Sequence, residues 1–185
     1  MNLPIVKYGH PMLRKQGARI EAITPAIKEL IANMFETMNT NRGIGLAAQQ
    51  VGHALQLTVL DLRNVTDRPS TLELGGQSAD VNDFMPLVLI NPEVKAVGKP
   101  VAGPEGCLSF PEIFADITRP ESVHVIALNE KGQRLEFHCG GLLARAVQHE
   151  TDHLNGILFI DRMKTETKAS FKAELDELQA ITKAA

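Results

Sequence analysis

The chain has 185 residues, 44% hydrophobic and 22% charged, ordinary values for a globular protein with a core of its own. Its 19 Lys+Arg against 22 Asp+Glu leave a formal net charge of -3, which gives no electrostatic case for DNA or for an anionic membrane. No uncharged apolar run approaches the roughly 20 residues that span a bilayer, and Met1 to Tyr8 lacks the charged, apolar, small-residue order of a secretory leader, so a cytoplasmic protein is expected. There, Cys107 and Cys139 are read singly, as core, ligand or nucleophile.

The first firm element is a helix from Pro25. Thr24 is a good N-cap, and Ile27, Leu30, Ile31, Met34 and Met38 form one apolar face that Asn39 to Gly43 terminates. Leu55 to Leu62 reads as a strand. The polar stretch Asn64 to Asp83, with Gly75-Gly76 inside it, reads as a surface loop. Leu87 to Ile90 is a short buried strand that Val94 to Val97 continues after Pro92, and Val123 to Leu128 and Leu135 to Cys139 flank Asn129 to Gly132 as a hairpin. Leu142 to Leu154 has helical spacing, and a last amphipathic helix over 165–181 puts Phe171, Leu175 and Leu178 along one side. Strands grouped around one central helix indicate an α+β protein. The elements, with a helix near each end, fit one domain over 1–185 and not alternating βαβ units.

The chemistry centres on His149-Glu150-Thr151-Asp152-His153. Two His four residues apart project from one helix face and can chelate one metal ion, while Glu150 can reach a water on that ion without ligating it. Such a site makes a hydroxide nucleophile beside a proton carrier. Two His leave the ligand set incomplete. Downstream, Glu166 and Glu174 fall on a surface helix, so an upstream thiol is the better third ligand. Cys107, after Gly106 in a turn, is favoured well above Cys139 on a strand. In Gly43-Ile44-Gly45-Leu46-Ala47-Ala48-Gln49-Gln50, no strand precedes and no third Gly or Lys follows, which argues against a phosphate loop and for backbone packed closely on a ligand or another element.

Gly43 to Gln50, Glu105-Gly106-Cys107-Leu108-Ser109 and Gln148 to His153 stand in the order of the three motifs of peptide deformylases, and the chain resembles that family from Pro4 through Asp161. The resemblance implies the family's fold, an α+β domain of antiparallel strands around the central helix of His149 and His153, with an N-terminal helix and the C-terminal helix of the bacterial type. It also implies the reaction: removal of the N-formyl group from formylmethionine at the start of nascent polypeptides, with release of formate. Carried over, Cys107, His149 and His153 hold one divalent metal, Fe2+ in the family, with Zn2+, Ni2+ or Co2+ as substitutes, and a water takes the fourth place. Glu150 takes a proton from that water and later gives it to the leaving amine. The side-chain amide of Gln50 and the N–H of Leu108 hold the oxyanion with the metal. The peptide adds as a strand beside Ile44, Gly45 and Gly106, and its methionine enters a pocket with Ile44, Leu142, Ala146 and the stem of His149.

Arg145 stands where the family often has an aliphatic residue, Ala146 where a second Cys is common, and Phe114 where an Arg is frequent. The Arg145 stem lines the pocket with its head in water, or the side chain faces elsewhere. Glu105 is expected to anchor its motif structurally, and Arg119 and Asp152 either pair to brace the helix or lie apart at the surface. Docking near the ribosomal exit tunnel is implied for relatives. In the last segment, Arg162, Lys164, Lys168, Lys172 and Lys183 against Asp161, Glu166, Glu174, Asp176 and Glu177 give it little electrostatic support. Two competing readings are a zinc endopeptidase built on the two-His motif alone and a peptide- or ribosome-binding protein without turnover. The intact Glu105 to Ser109 segment speaks against the first, and the presence of Glu150 and Gln50 against the second.

Overall fold

Thr24 Oγ1 accepts the Ile27 N–H at 3.3 Å and starts α1 (Pro25–Thr40), whose face of Leu30, Ile31, Met34 and Met38 is buried. This is the face that the apolar spacing predicts. The computed structural model, which describes all residues from Met1 to Ala185, sets α1 against the first strands, β1 (Gly45–Ala47) and β2 (Leu57–Leu60).

The remaining strands are β3 (Ser70–Leu74), β4 (Gln77–Ser78), β5 (Leu87–Cys107), β6 (Phe110–Leu128) and β7 (Arg134–Gly140). All pair antiparallel in one seven-stranded sheet of order β1-β2-β5-β6-β7-β3-β4, so β1 and β4 are its edges. β5 and β6 form one long hairpin, closed by Leu108-Ser109 and bent at register shifts near Pro92, Pro100 and Cys107. The two short segments expected at Leu87 to Ile90 and Val94 to Val97 are therefore parts of a single strand. Val123 to Leu128 is likewise only the end of β6.

α2 (Gly141–Leu154) carries the two-His motif. Its buried residues Leu142, Leu143, Ala146 and Val147 pack with Leu60, Leu87, Leu89, Val123, Val125 and Phe137 of the sheet. Gly141 opens it at φ +67, and a Cβ there would stand 2.3 Å from the Pro69 carbonyl oxygen, so the tight entry requires glycine.

The segment Asn64 to Asp83, read from sequence as a loop, instead holds β3, β4 and a 3-10 turn over Asn82–Phe84. The composition misleads because only Leu72 of β3 is buried, so the strand has almost no apolar signature. The hairpin also caps α2: Pro69 O accepts the Leu142 N–H at 3.0 Å, and Ser70 Oγ accepts that of Leu143 at 3.0 Å.

The expected single helix over 165–181 is two, α3 (Thr165–Ser170) and α4 (Lys172–Ala184), broken at Phe171 (φ -98, ψ 6). The break lets Phe171, Leu175 and Leu178 close on the cluster of Leu13, Phe110, Ile113, Ile117 and Phe159.

Before α3 the chain is pinned by Asp161. Its Oδ2 accepts the Leu158 N–H at 2.9 Å and Arg14 Nη1 at 2.6 Å, and its Oδ1 accepts Arg14 Nη2 at 3.1 Å. Burial opposes ionisation, but the bonds from Arg14 and Leu158 outweigh it and hold the carboxyl below its usual range. The stability this adds is present above the unfolded pKa and disappears as pH falls through the lower folded one. Asp161→Asn is expected to destabilise the fold at neutral pH by about 1 kcal/mol, a modest value because the pair is partly solvated. In thermal melts the gap to the wild type should close as pH drops below the carboxylate range.

Candidate active site

α2 turns Leu142, Ala146, His149, Glu150 and His153 toward the sheet, with both His and Glu150 buried. Cys107 arrives from elsewhere in the chain as the last residue of β5, held by the two-residue turn into β6. Its Sγ and one ring nitrogen of each His lie within 4.8 Å of one another, and Sγ stands 3.4 Å from His153 Nε2. The thiol expected from sequence thus meets both imidazoles. Cys139 does not: it is buried on β7 among Val123 and Leu143, and burial pushes its thiol up to about 12.

Glu105 organises this cluster. Its Oε1 lies 2.8 Å from His149 Nδ1, which leaves His149 Nε2 for the Cys107 side. Arg119 grips the same carboxylate with two N–H···O bonds of 2.6 and 2.9 Å, and Arg145 Nη1 adds a third at 2.8 Å. Arg119 also donates to Asp152 Oδ2 at 2.9 Å, so these two residues do brace the helix. Burial works against charge on Glu105, but the bonds to His149 and Arg119 hold its pKa down to about 2.

Burial opposes charge on His149 as well, yet the bonds to Cys107 and Glu105 keep its pKa well above the usual imidazole value. For His153 burial lowers it, helped by the charges of His149 and Arg119, so that ring is neutral. Glu150 is lifted to about 7 by burial, against the pull of His149 and with the push of Glu105. Its Oε2 is buried without a hydrogen-bond partner. A Cβ on Gly45 would come within 2.7 Å of Glu150 Oε1, so only glycine lets the β1 backbone lie against this carboxylate.

Around the cluster is a cavity of about 580 Å³ whose lining includes Ile44, Gly45, Gln50, Gly106, Leu108, Leu142 and Ala146, all expected from sequence. Gln50 is buried. Its Oε1 accepts the Ala47 N–H at 2.9 Å, and its Nε2 donates to Ser109 Oγ at 3.2 Å and points at Cys107 Sγ at 3.5 Å. The N–H groups of Ile44 and Leu108 have no acceptor within the protein, while Ile44 O already accepts the Asp61 N–H at 2.9 Å. Phe114, 69% exposed, lies over Gly106 at the rim: a Cβ on Gly106 would stand 2.6 Å from its ring.

The Arg145 stem lines the cavity, but its head is not in water. It is bonded inside the protein, a correction to the solvated guanidinium considered from sequence. Lys7 and Arg68, which sequence reasoning passed over, also line the cavity. Lys7 Nζ donates to Leu108 O at 2.8 Å, and Arg68 reaches Pro104 O at 3.2 Å from the segment read as a loop. No local sequence signal marks either one.

The donor set of one thiol and two buried imidazoles beside an unpartnered carboxylate oxygen fits a first-row divalent ion with an open position. The family model for polypeptide deformylase matches residues 2–169. The chain belongs to the polypeptide deformylase family.

It is 44% identical over 187 residues to the peptide deformylase of Opitutus terrae, across 100% of this chain and 97% of that one. Among solved structures, the peptide deformylase of Legionella pneumophila superposes with a TM-score of 0.80 at 31% identity, covering 100% of this chain and 99% of that one. The deformylase of Synechococcus elongatus in complex with actinonin does so with 0.76 at 36% identity, covering 97% of this chain and 85% of its own. As a member of the deformylase family the chain is an enzyme, a hydrolase. The α+β antiparallel architecture is the one these relatives share. No helix is long and apolar enough to cross a membrane.

Proposed function

We propose that this enzyme removes the N-formyl group from formylmethionine at the start of nascent polypeptides in the cytoplasm, with release of formate. Cys107, His149 and His153 would hold one divalent ion, Fe2+, which Zn2+, Ni2+ or Co2+ could replace. The observation that carries the reading is the meeting of Cys107 from β5 with two imidazoles of α2 beside Glu150.

Bound there, the ion supplies a Lewis acid that acidifies a water and polarises the formyl oxygen. Glu150 Oε2, the partnerless oxygen, takes the proton of the attacking water and then delivers it to the departing amine nitrogen. Gln50 Nε2 and the Leu108 N–H donate to the oxyanion as the carbonyl becomes tetrahedral. The substrate backbone extends along the edge strand β1, taking the Ile44 N–H, with Gly45 and Gly106 leaving room for its main chain. The first side chain enters the cavity between Ile44, Leu142 and Ala146. Main-chain pairing tolerates sequence, as an enzyme acting on most new chains requires. Encounter at the ribosomal exit tunnel belongs to this reading by resemblance alone, since the mixed charges of α3 and α4 give it no electrostatic support.

Protein prepared anaerobically with Fe2+, or loaded with Ni2+, should release formate from formyl-Met-Ala-Ser. Formate no higher than with metal-free protein would overturn the assignment.

A further inference from the structure

We propose that Arg145 sets the length of side chain that the cavity admits, by fixing a guanidinium wall between α2 and the β5–β6 hairpin. The inference rests on the reading that this cavity takes the first side chain of a formylated peptide.

Arg145 lies three residues after Leu142, so its stem leaves the helix on the flank of the apolar floor that Leu142 and Ala146 provide. The head then crosses to the hairpin. Nη1 donates to Glu105 Oε2 at 2.8 Å and to Ile117 O at 2.7 Å, and Nη2 donates to Val101 O at 2.8 Å. The side chain is 11% exposed. A Cβ on Gly103 would stand 3.0 Å from Nη2 and 3.1 Å from both Cζ and Nε. Three atoms of one plane nearly equidistant from one point mean that the guanidinium lies flat against the Gly103 backbone. Arg145 lines the cavity and Gly103 does not. The missing side chain at 103 is the space that the guanidinium fills.

This wall differs in kind from an aliphatic one. A leucine or isoleucine can shift rotamer to admit a longer guest. A planar fork tied to three acceptors cannot move without giving up its bonds to Val101 O, Ile117 O and Glu105 Oε2 and leaving its own buried N–H groups unpaired. The depth of the cavity on this side is therefore fixed, and selection falls on side-chain length.

The test compares kcat/KM for formate release from two formyl tripeptides that differ only in the first residue, methionine or the longer 2-aminooctanoic acid, with the Fe2+ or Ni2+ enzyme. The wild type should prefer methionine by about 100-fold, since each excess methylene in a tight pocket costs roughly tenfold or more. Arg145→Ala should narrow that ratio at least about tenfold. Arg145→Met, which keeps the stem and lacks the tethers, should narrow it too and serves where the alanine variant folds poorly. Adding Gly103→Leu to Arg145→Ala refills the space from the opposite strand and should restore the preference. Gly103 has no left-handed φ to forbid a side chain.

A ratio unmoved by either Arg145 substitution, or an equal loss on both substrates that Gly103→Leu does not correct, would show Arg145 to be merely structural and overturn the inference. A wild type that releases formate from neither peptide would overturn the deformylase reading beneath it. An active wild type with an unmoved ratio overturns the wall alone.

Discussion

Glu150→Gln should lower kcat for formate release by about 10²–10⁴-fold, the usual contribution of a positioned general acid–base. The amide matches the carboxyl in size, and a Cβ on Gly45 would come within 2.7 Å of Oε1, so the pocket for the side chain is shaped and the variant should keep its place. What it loses is the capacity to receive a proton at Oε2. That atom has no partner inside the protein, so no neighbouring group can relay the proton in its stead. Metal content and melting temperature should stay near those of the wild type, because Glu150 is not among the three converging donors. Activity within about tenfold of the wild type at equal metal loading would remove Glu150 from the role given to it.

Cys107→Ser should abolish stable metal retention. Changing even outer partners of a metal site commonly costs about 10–100-fold in affinity, and here one of the three proposed ligands would change from a soft thiolate to a neutral hydroxyl. Elemental analysis after dialysis should find little metal, and formate release should fall with it. The fold should survive: Cys107 ends a strand and is only half-buried, and Glu105, two residues before it, keeps its bonds to Arg119 and His149. Undiminished metal in the serine variant would mean that the third ligand lies elsewhere.

The legible part of this site is the local part. The spacing of His149 and His153 fixes a shared helix face with no knowledge of the rest of the chain. Cys107 is different. It is 46 residues from His153, and its meeting with that ring depends on where a long hairpin ends, a non-local outcome that only the three motifs taken together point to. The apolar face of α1 and the pairing of β6 with β7 were readable because burial there follows helix and strand periodicity. β3 was not, since it buries Leu72 alone, and the bonds that justify it run to the start of α2.

The break at Phe171 has no proline or glycine to announce it and comes from packing on Phe110 and Phe159. The place of the Arg145 head is not legible locally, because a helical arginine normally snorkels outward. The information that it turns inward sits 42 residues upstream, in the bare backbone of Gly103.

The order of the strands has one last consequence. Any open sheet offers two rows of unpaired amides on which an extended chain could zip. At one end here the terminal strand is only Gln77 and Ser78, polar and solvent-facing, too brief a template to recruit a stranger or a twin. At the other end the row is three residues long and lies against Glu150. In the proposed binding mode, the sheet thus offers an extended chain a single berth, and that berth lies beside Glu150.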